Sequence, residues 1–250
     1  MKFLFMDETY MPKRSPVSAT TLTGLLVHAD AHADIRTQYQ DLLKGVRPDP
    51  PNTIQRPIDV HAADLFKSLG VADAVKFDFL NGVVDICLGH DLRIYRVGYY
   101  NTPEMLNISR SERGILGLCF LGILWALAPE LEDNVIWPVM ERDGSEEQDR
   151  MFAGQVRSID HMSARTEGLL SIDNKNLGEL LYTTKHSAYG ALVDCVAYLR
   201  HVVHLADRRA KLTPFKEELA AIGRRLSPVL VRDETIEMQF HPAESVNARA

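Results

Sequence analysis

Residues Lys2 to Tyr10 read KFLFMDETY, and the first five of them, KFLFM, form a short apolar run halted by two acids, Asp7 and Glu8. A run of that length bounded by charge reads as a buried strand that ends at the acids. Pro12 and Pro16 then bracket a basic loop, and Thr20 to His28 (TTLTGLLVH) is Thr- and Leu-rich, as a second strand should be. Two early strands joined by a loop start the sheet as a hairpin.

Outward from this pair, strands and helices interleave. Ala31 to Lys44 has helical spacing, with Ile35, Tyr39, Leu42 and Leu43 on one side. Four prolines between Val46 and Pro57 mark a loop. Pro57 to His61 (PIDVH) reads as a third strand, followed by helical sequence from Ala62 through Leu88. Asp91 to Tyr100 alternates as a fourth strand. Ser109 and Ser111 are candidate N-caps for an apolar helix expected to end at Pro129, the Ser109–Glu112 pair having capping-box spacing. Asn134 to Glu141 reads as a fifth strand, where Pro138 favours an edge or a bulge. Glu146 to Met162, Ser187 to His204 and Thr213 to Leu226 read as helices, and Val229 to Phe240 as a terminal strand or arm. The expectation is one α/β domain, and the order of elements leaves a doubly wound and a mixed sheet both open.

Composition agrees. The chain has 250 residues, 46% apolar and 25% charged, which excludes disordered, collagen-like and coiled-coil classes. The longest apolar run, Ile115 to Ala128, falls short of the roughly 20 residues a bilayer span needs and reads as a buried helix, so no membrane partner is expected. The N-terminus reaches Asp7 and Glu8 before a signal-peptide core can form. Cys87, Cys119 and Cys195 are far apart with no C-x-x-C spacing, which argues against a disulfide framework or a cysteine zinc site and for a reducing, cytoplasmic setting. A net charge of −6 is not that of a general nucleic-acid binder. A nucleic-acid role would need a local basic patch or metal ions at an acidic site.

Acidic residues near strand ends carry the chemical signal. Asp7 and Glu8 close the first strand, and Asp59 and His61 share a face of PIDVH if it is a strand. Glu141 and Asp143 end the fifth strand, and Asp194 interrupts the apolar helix SAYGALVDCVAYL. A buried carboxylate is costly unless paired or bound to a cation, and convergent carboxylates are the oxygen-rich setting that Mg²⁺ or Mn²⁺ prefers. Each has a plainer reading: Asp7, Glu8 and Asp143 as turn residues, His61 as a hydrogen-bonded core histidine, Asp194 as half of an ion pair. The His28-Ala-Asp-Ala-His32 spacing straddles a strand–helix boundary, where a surface location is expected rather than a metal site. For His201 and His204 the plain account is a favourable interaction with a helix C-terminus. Arg208, Arg209, Lys211, Arg224 and Arg225 read as a solvated basic face.

MDETY after a short strand, DVHAADLF near position 60, and SAYGALVDCVAYLRH resemble, in order and spacing, the three signatures of the domain-of-unknown-function 3800 family. The resemblance covers about residues 1–205 and leaves 206–250 as a C-terminal helix and tail packed on the same domain. It implies a ribonuclease H-like fold, a single α/β domain with a mixed sheet flanked by helices and acids grouped at the sheet centre. Carried over, Asp7 and Glu8 fall on the first-strand acids, and Asp59 and His61 on a Glu-x-His pair. Asp143 falls on an acid after a later strand, Asp194 on the helix Asp and Ser187 on the helix-start Ser. Thr9, Asp59 and Ala191 depart from the pattern, standing where Ser, Glu and Gln are usual.

The functional expectation is a divalent-metal-dependent nuclease. Two metals roughly 3.5–4 Å apart would clamp the attacking water and the leaving oxygen. Asp7, Asp59 and Asp194 would form the cage, Asp143 would contribute, and His61 would orient the phosphate or accept a proton. The alternative is a non-catalytic binding or regulatory module with a degenerate acidic site. A third reading is an enzyme acting on a small phosphorylated metabolite.

Overall fold

A computed structural model describes residues 1–10, 19–46, 72–103, 105, 112–141, 154, 176–183, 187–208 and 211–237. The strands are β1 (Lys2–Tyr10), β2 (Ala19–His28), β3 (Arg93–Tyr100), β4 (Ile136–Glu141), β5 (Leu181–Thr183) and β6 (Leu230–Ile236). The helices that flank them are α1 (His32–Val46), α2 (Asp73–Gly89), α3 (Glu112–Asp133), α4 (Ala188–Asp207) and α5 (Pro214–Arg224). The strands form one sheet in the order β5-β4-β1-β2-β3-β6. β1, β2 and β3 are antiparallel neighbours, β4 is parallel to β1, β5 to β4, and β6 to β3. The α/β domain read from the pattern is thus a mixed, helix-flanked sheet, as the resemblance implies, an arrangement consistent with the ribonuclease H-like fold. The expected strand over PIDVH, the N-caps Ser109 and Ser111, and most of the expected helix Glu146–Met162 lie outside the described residues.

Strand alternation sorts the core onto two faces. Leu4, Met6, Leu22, Tyr95, Val97, Ile136 and Met140 pack under α3. Phe5, Leu25, Val27, Ile94 and Val139 pack on the other side, against α4. Behind α4 lie α1, α2 and α5, so α4 is covered by the sheet on one side and by helices on the other. That double cover explains its nearly continuous apolar sequence. Ser187 caps it, its Oγ accepting from the backbone N–H groups of Tyr189 and Gly190.

Three boundaries differ from the sequence reading. β1 does not stop at the acids but runs on to Tyr10, because Asp7, Glu8, Thr9 and Tyr10 pair with Thr23, Leu22, Thr21 and Thr20 of β2. Asp7 therefore sits inside a strand, not in a turn. α3 runs through Pro129 to Asp133. The last turn is held where the proline removes a backbone donor: Leu131 is buried, and Glu130 receives ion pairs from Lys2 and Arg93. Pro138, in turn, lies in an interior strand. It falls in the gap between the single bridge Ile136–Leu177 and the β4–β5 ladder that begins at Val139, where no ladder partner is needed on that side.

Gly114–Asp133 of α3 is long and apolar enough to cross a bilayer, longer than the uninterrupted run suggested, and 56% of its most apolar window is buried within the protein. Ile115, Cys119, Phe120, Ile123, Leu124 and Leu127 face the sheet. Gly122 lets the helix approach β3, since a Cβ there would stand 2.9 Å from Val97 Cγ1. Trp125, within the run that reads from the sequence as a buried helix, is instead 54% exposed on the outer face. The two faces should respond differently to truncation. Phe120→Ala should cost about 3–5 kcal/mol in urea denaturation, whereas Trp125→Ser should stay within about 0.5 kcal/mol of the parent.

Candidate functional site

On the α4 face of the sheet the strands change character together. One cross-strand row, Val139, Phe5, Leu25, Ile94 and Leu230, is apolar. The next row on that face, in register from β1 to β6, is Asp7, Thr23, Arg96 and Asp233. Arg96 is 1% exposed, the largest fully buried side chain in the described part of the molecule. Its Nη1 donates to Asp233 Oδ1 at 2.9 Å. Arg200 of α4 reaches the same carboxylate, Nε donating to Oδ2 at 2.8 Å and Nη2 to Oδ2 as well, while its Nη1 donates to the Gly223 carbonyl at 3.1 Å.

A bulge makes this pairing. Ile94 is opposite Leu230, but Tyr95 is opposite Arg232, so Val231 is passed over. Because side chains alternate, unbroken register would have set Arg232 against Arg96 and turned Asp233 to the far face. With the bulge, Asp233 meets Arg96, and Arg232 instead extends to the α3 face, where its Nη1 donates to the Gly122 carbonyl at 2.8 Å.

α4 brings the facing groups. Asp194, His201 and His204 stand at i, i+7 and i+10, on one side of the helix. Asp194 and Asp7 both lie near enough to the buried Cys195 thiol to raise its pKa, which burial already holds well above the usual thiol value. Two of the sequence-predicted carboxylates, Asp7 from the sheet and Asp194 from α4, are thus brought onto elements packed against each other. Asp59, His61 and Asp143 lie outside the described residues. Glu8 points to the opposite face, that of Leu4 and Met6. Among the described residues no group of three or more His, Cys, Asp or Glu side chains is arranged to hold a metal ion.

Burial, then the neighbouring Arg96, lowers the pKa of both His201 and His204 to about 4. Both rings are neutral at pH 7, so the helix-terminus account, which needs a cation, does not hold for them. His204 Nε2 lies 3.4 Å from Tyr100 Oη, and the Arg208 guanidinium covers the Tyr100 ring. The His28–His32 pair takes the plain reading: His28 Nδ1 accepts from Asp30 N, and His32 stacks on Tyr189. Cys87 and Cys119 are buried with pKa values pushed up to about 12, so neither is a nucleophile.

Sequence reasoning missed Arg96, Arg200 and Asp233. A signal was available for Arg96: in RIYRVGYY it shares parity with Ile94, an arginine on the apolar side of a strand. No protein-family model matches the chain, and no curated protein is detectably similar to it. The site is therefore read from its own geometry.

Removing the acid between two buried guanidinium groups should be severe. Asp233→Asn should lower stability by about 3–5 kcal/mol in urea denaturation. The histidines set a pH dependence of known sign. Unfolded imidazole takes up a proton near 6.5, while in the folded chain it does so only near 4, so protonation favours the unfolded state in between. Stability should be full above about pH 6.5 and fall as the pH drops toward 4. His201→Gln should flatten that slope in denaturation curves taken across the window.

Proposed function

We propose that this chain is a divalent-metal-dependent phosphodiester hydrolase acting on nucleic acid, centred on Asp7 and Asp194. The observation that carries the reading is the placement of one carboxylate inside β1 and one on α4, the helix packed against that strand. The donor set fits a hard cation. Mg²⁺ is commonly held by one or two carboxylates, with water and substrate oxygens completing its shell. Thr23, the ladder partner of Asp7, adds a buried hydroxyl oxygen with no hydrogen-bond partner.

When bound, such an ion would supply a more acidic water and stabilise charge on the phosphoryl oxygens. The chain's own part is to hold the oxygen donors still. Asp7 is fixed by the β1–β2 ladder, and Asp194 by a helix capped at Ser187 and packed on every side. Burial and the nearby Arg96 keep His204 neutral at pH 7. Asp59 and Asp143 remain the proposed further ligands, and His61 the proposed group that orients the phosphate or accepts a proton.

A second reading, a non-catalytic binding module on the same fold, is favoured by Ala191. It is buried in the apolar cluster one turn before Asp194, so that turn of the helix offers no polar side chain to orient the carboxylate.

Calorimetry with Mn²⁺ separates the cases. The parent protein should bind, Asp7→Asn and Asp194→Asn should each lose most of the affinity, and Glu8→Gln, on the opposite face, should retain it. Unchanged binding by Asp7→Asn would sink the metal reading. Metal binding without cleavage of labelled single-stranded DNA, duplex DNA or RNA would favour the non-catalytic module.

A further inference from the structure

The helices are shared unequally between the two sides of the sheet. α1, α2, α4 and α5 lie on one side, and among the described residues α3 is the only helix on the other, standing on the sheet as a ridge. Along its crest run Gly114, Leu118, Leu121, Trp125, Ala128 and Glu132, none of them fully buried. Their spacing alternates between four and three, the period of a seam by which one helix packs on another. From Gly114 to Pro129 the helix carries no charged residue, although the outward stripe of a surface helix is ordinarily polar. Trp125, near the middle of the seam and 54% exposed, is the kind of side chain that anchors the centre of an interface.

We propose that this seam is covered by the same seam of a second copy of the chain, packed antiparallel about a two-fold axis. Such an interface is isologous, so the stripe must complement itself. It does. In an antiparallel pair whose layers each take one position from either copy, Leu121 meets Trp125, Leu118 meets Ala128, and Gly114 meets Glu132. The last layer is complementary in charge as well as size. Glu132 is exposed, and the glycine leaves room for it at the positive N-terminal end of the facing helix. The first turn there is neutral in sum, with one acid and one base, Glu112 and Arg113. A lipid surface matches less well: helices that lie on membranes carry basic residues beside the apolar stripe, whereas the exposed end of this one carries Glu132 and Asp133.

The seam is about 27 Å long. A single helix pair buries less than a standard interface, so association in the micromolar range is expected. The surface lies on the opposite side of the sheet from Asp7 and α4, so it holds or fails independently of the metal reading.

The test is sedimentation equilibrium of the full chain from submicromolar to about 100 µM. The parent should pass from monomer to dimer, and Trp125→Glu should stay monomeric, a loss of more than about a hundredfold in affinity because the contact is broken twice. Leu121→Lys should be monomeric too. Mixing these two variants should restore a dimer of one copy each: the introduced base meets the introduced acid on one side of the axis, and the native Leu121–Trp125 contact survives on the other. Recovery on mixing also shows that both variants are folded. Should Leu121→Lys fail to fold, Trp125→Glu set against Trp125→Phe, which should keep the dimer, decides. In dilute solution Trp125→Ser is the near-neutral change described above, whereas at high concentration the parent alone should gain stability by association. A parent that is monomeric throughout, a dimer that Trp125→Glu leaves intact, or folded variants that do not associate on mixing overturns the proposal. A monomer that instead sediments with phosphatidylcholine vesicles overturns it in favour of a lipid surface.

Discussion

Arg96 is carried into the protein interior by β3, where a guanidinium group is tolerated only beside a carboxylate. Asp233 supplies that carboxylate from β6, and Arg200 shares it from α4. Removing ions from water costs several kcal/mol apiece, offset here only because the donors are aimed well and the acid is shared. Much else follows from satisfying this one residue. β6 must lie beside β3, the bulge at Val231 must shift its register, and α4 must cross the sheet where Arg200 can reach. The two histidines that follow on α4 stay neutral, since a further cation in that setting would be opposed by burial and by Arg96 alike.

The two faces of the sheet divide the remaining work. Under α3 the packing is largely apolar, with Arg232 reaching in to the Gly122 carbonyl, and close approach at Gly122 lets the helix sit on β3. Under α4 an apolar row gives way to a polar one, so the same helix is an anchor over part of its length and faces polar side chains over the rest. Asp194 lies at that change of character.

Much of the architecture was legible from periodicity, and the failures have physical causes. KFLFM and TTLTGLLVH announce strands because their composition suits a pleated buried surface. The extension of β1 through Asp7 to Tyr10 is invisible locally, since pairing with a Thr-rich partner overrides the turn preference of Asp-Glu. α3 outlasts Pro129 because Leu131 and Glu130 find tertiary partners. Asp194 is recognisable as an acid out of place in an apolar helix, whereas Asp7 reads from the sequence only as an acid at a strand end. The Arg96–Asp233–Arg200 cluster was not, because it joins residues far apart in the chain through a register that only a bulge establishes.

The position of β6 has a consequence for biosynthesis. Residues 93–100 leave the ribosome long before residues 230–236, which must pair with them in parallel. Until then β3 is an open sheet edge carrying an arginine whose carboxylate has not yet been made. Early strands can zip as a meander while translation continues, but the interior charge is neutralised only by a strand that emerges long after β3. Completion of the sheet is thereby coupled to completion of the segment through residue 236, and a nascent chain halted before it would expose both an unpaired edge and an uncompensated cation to the quality-control machinery of the cell.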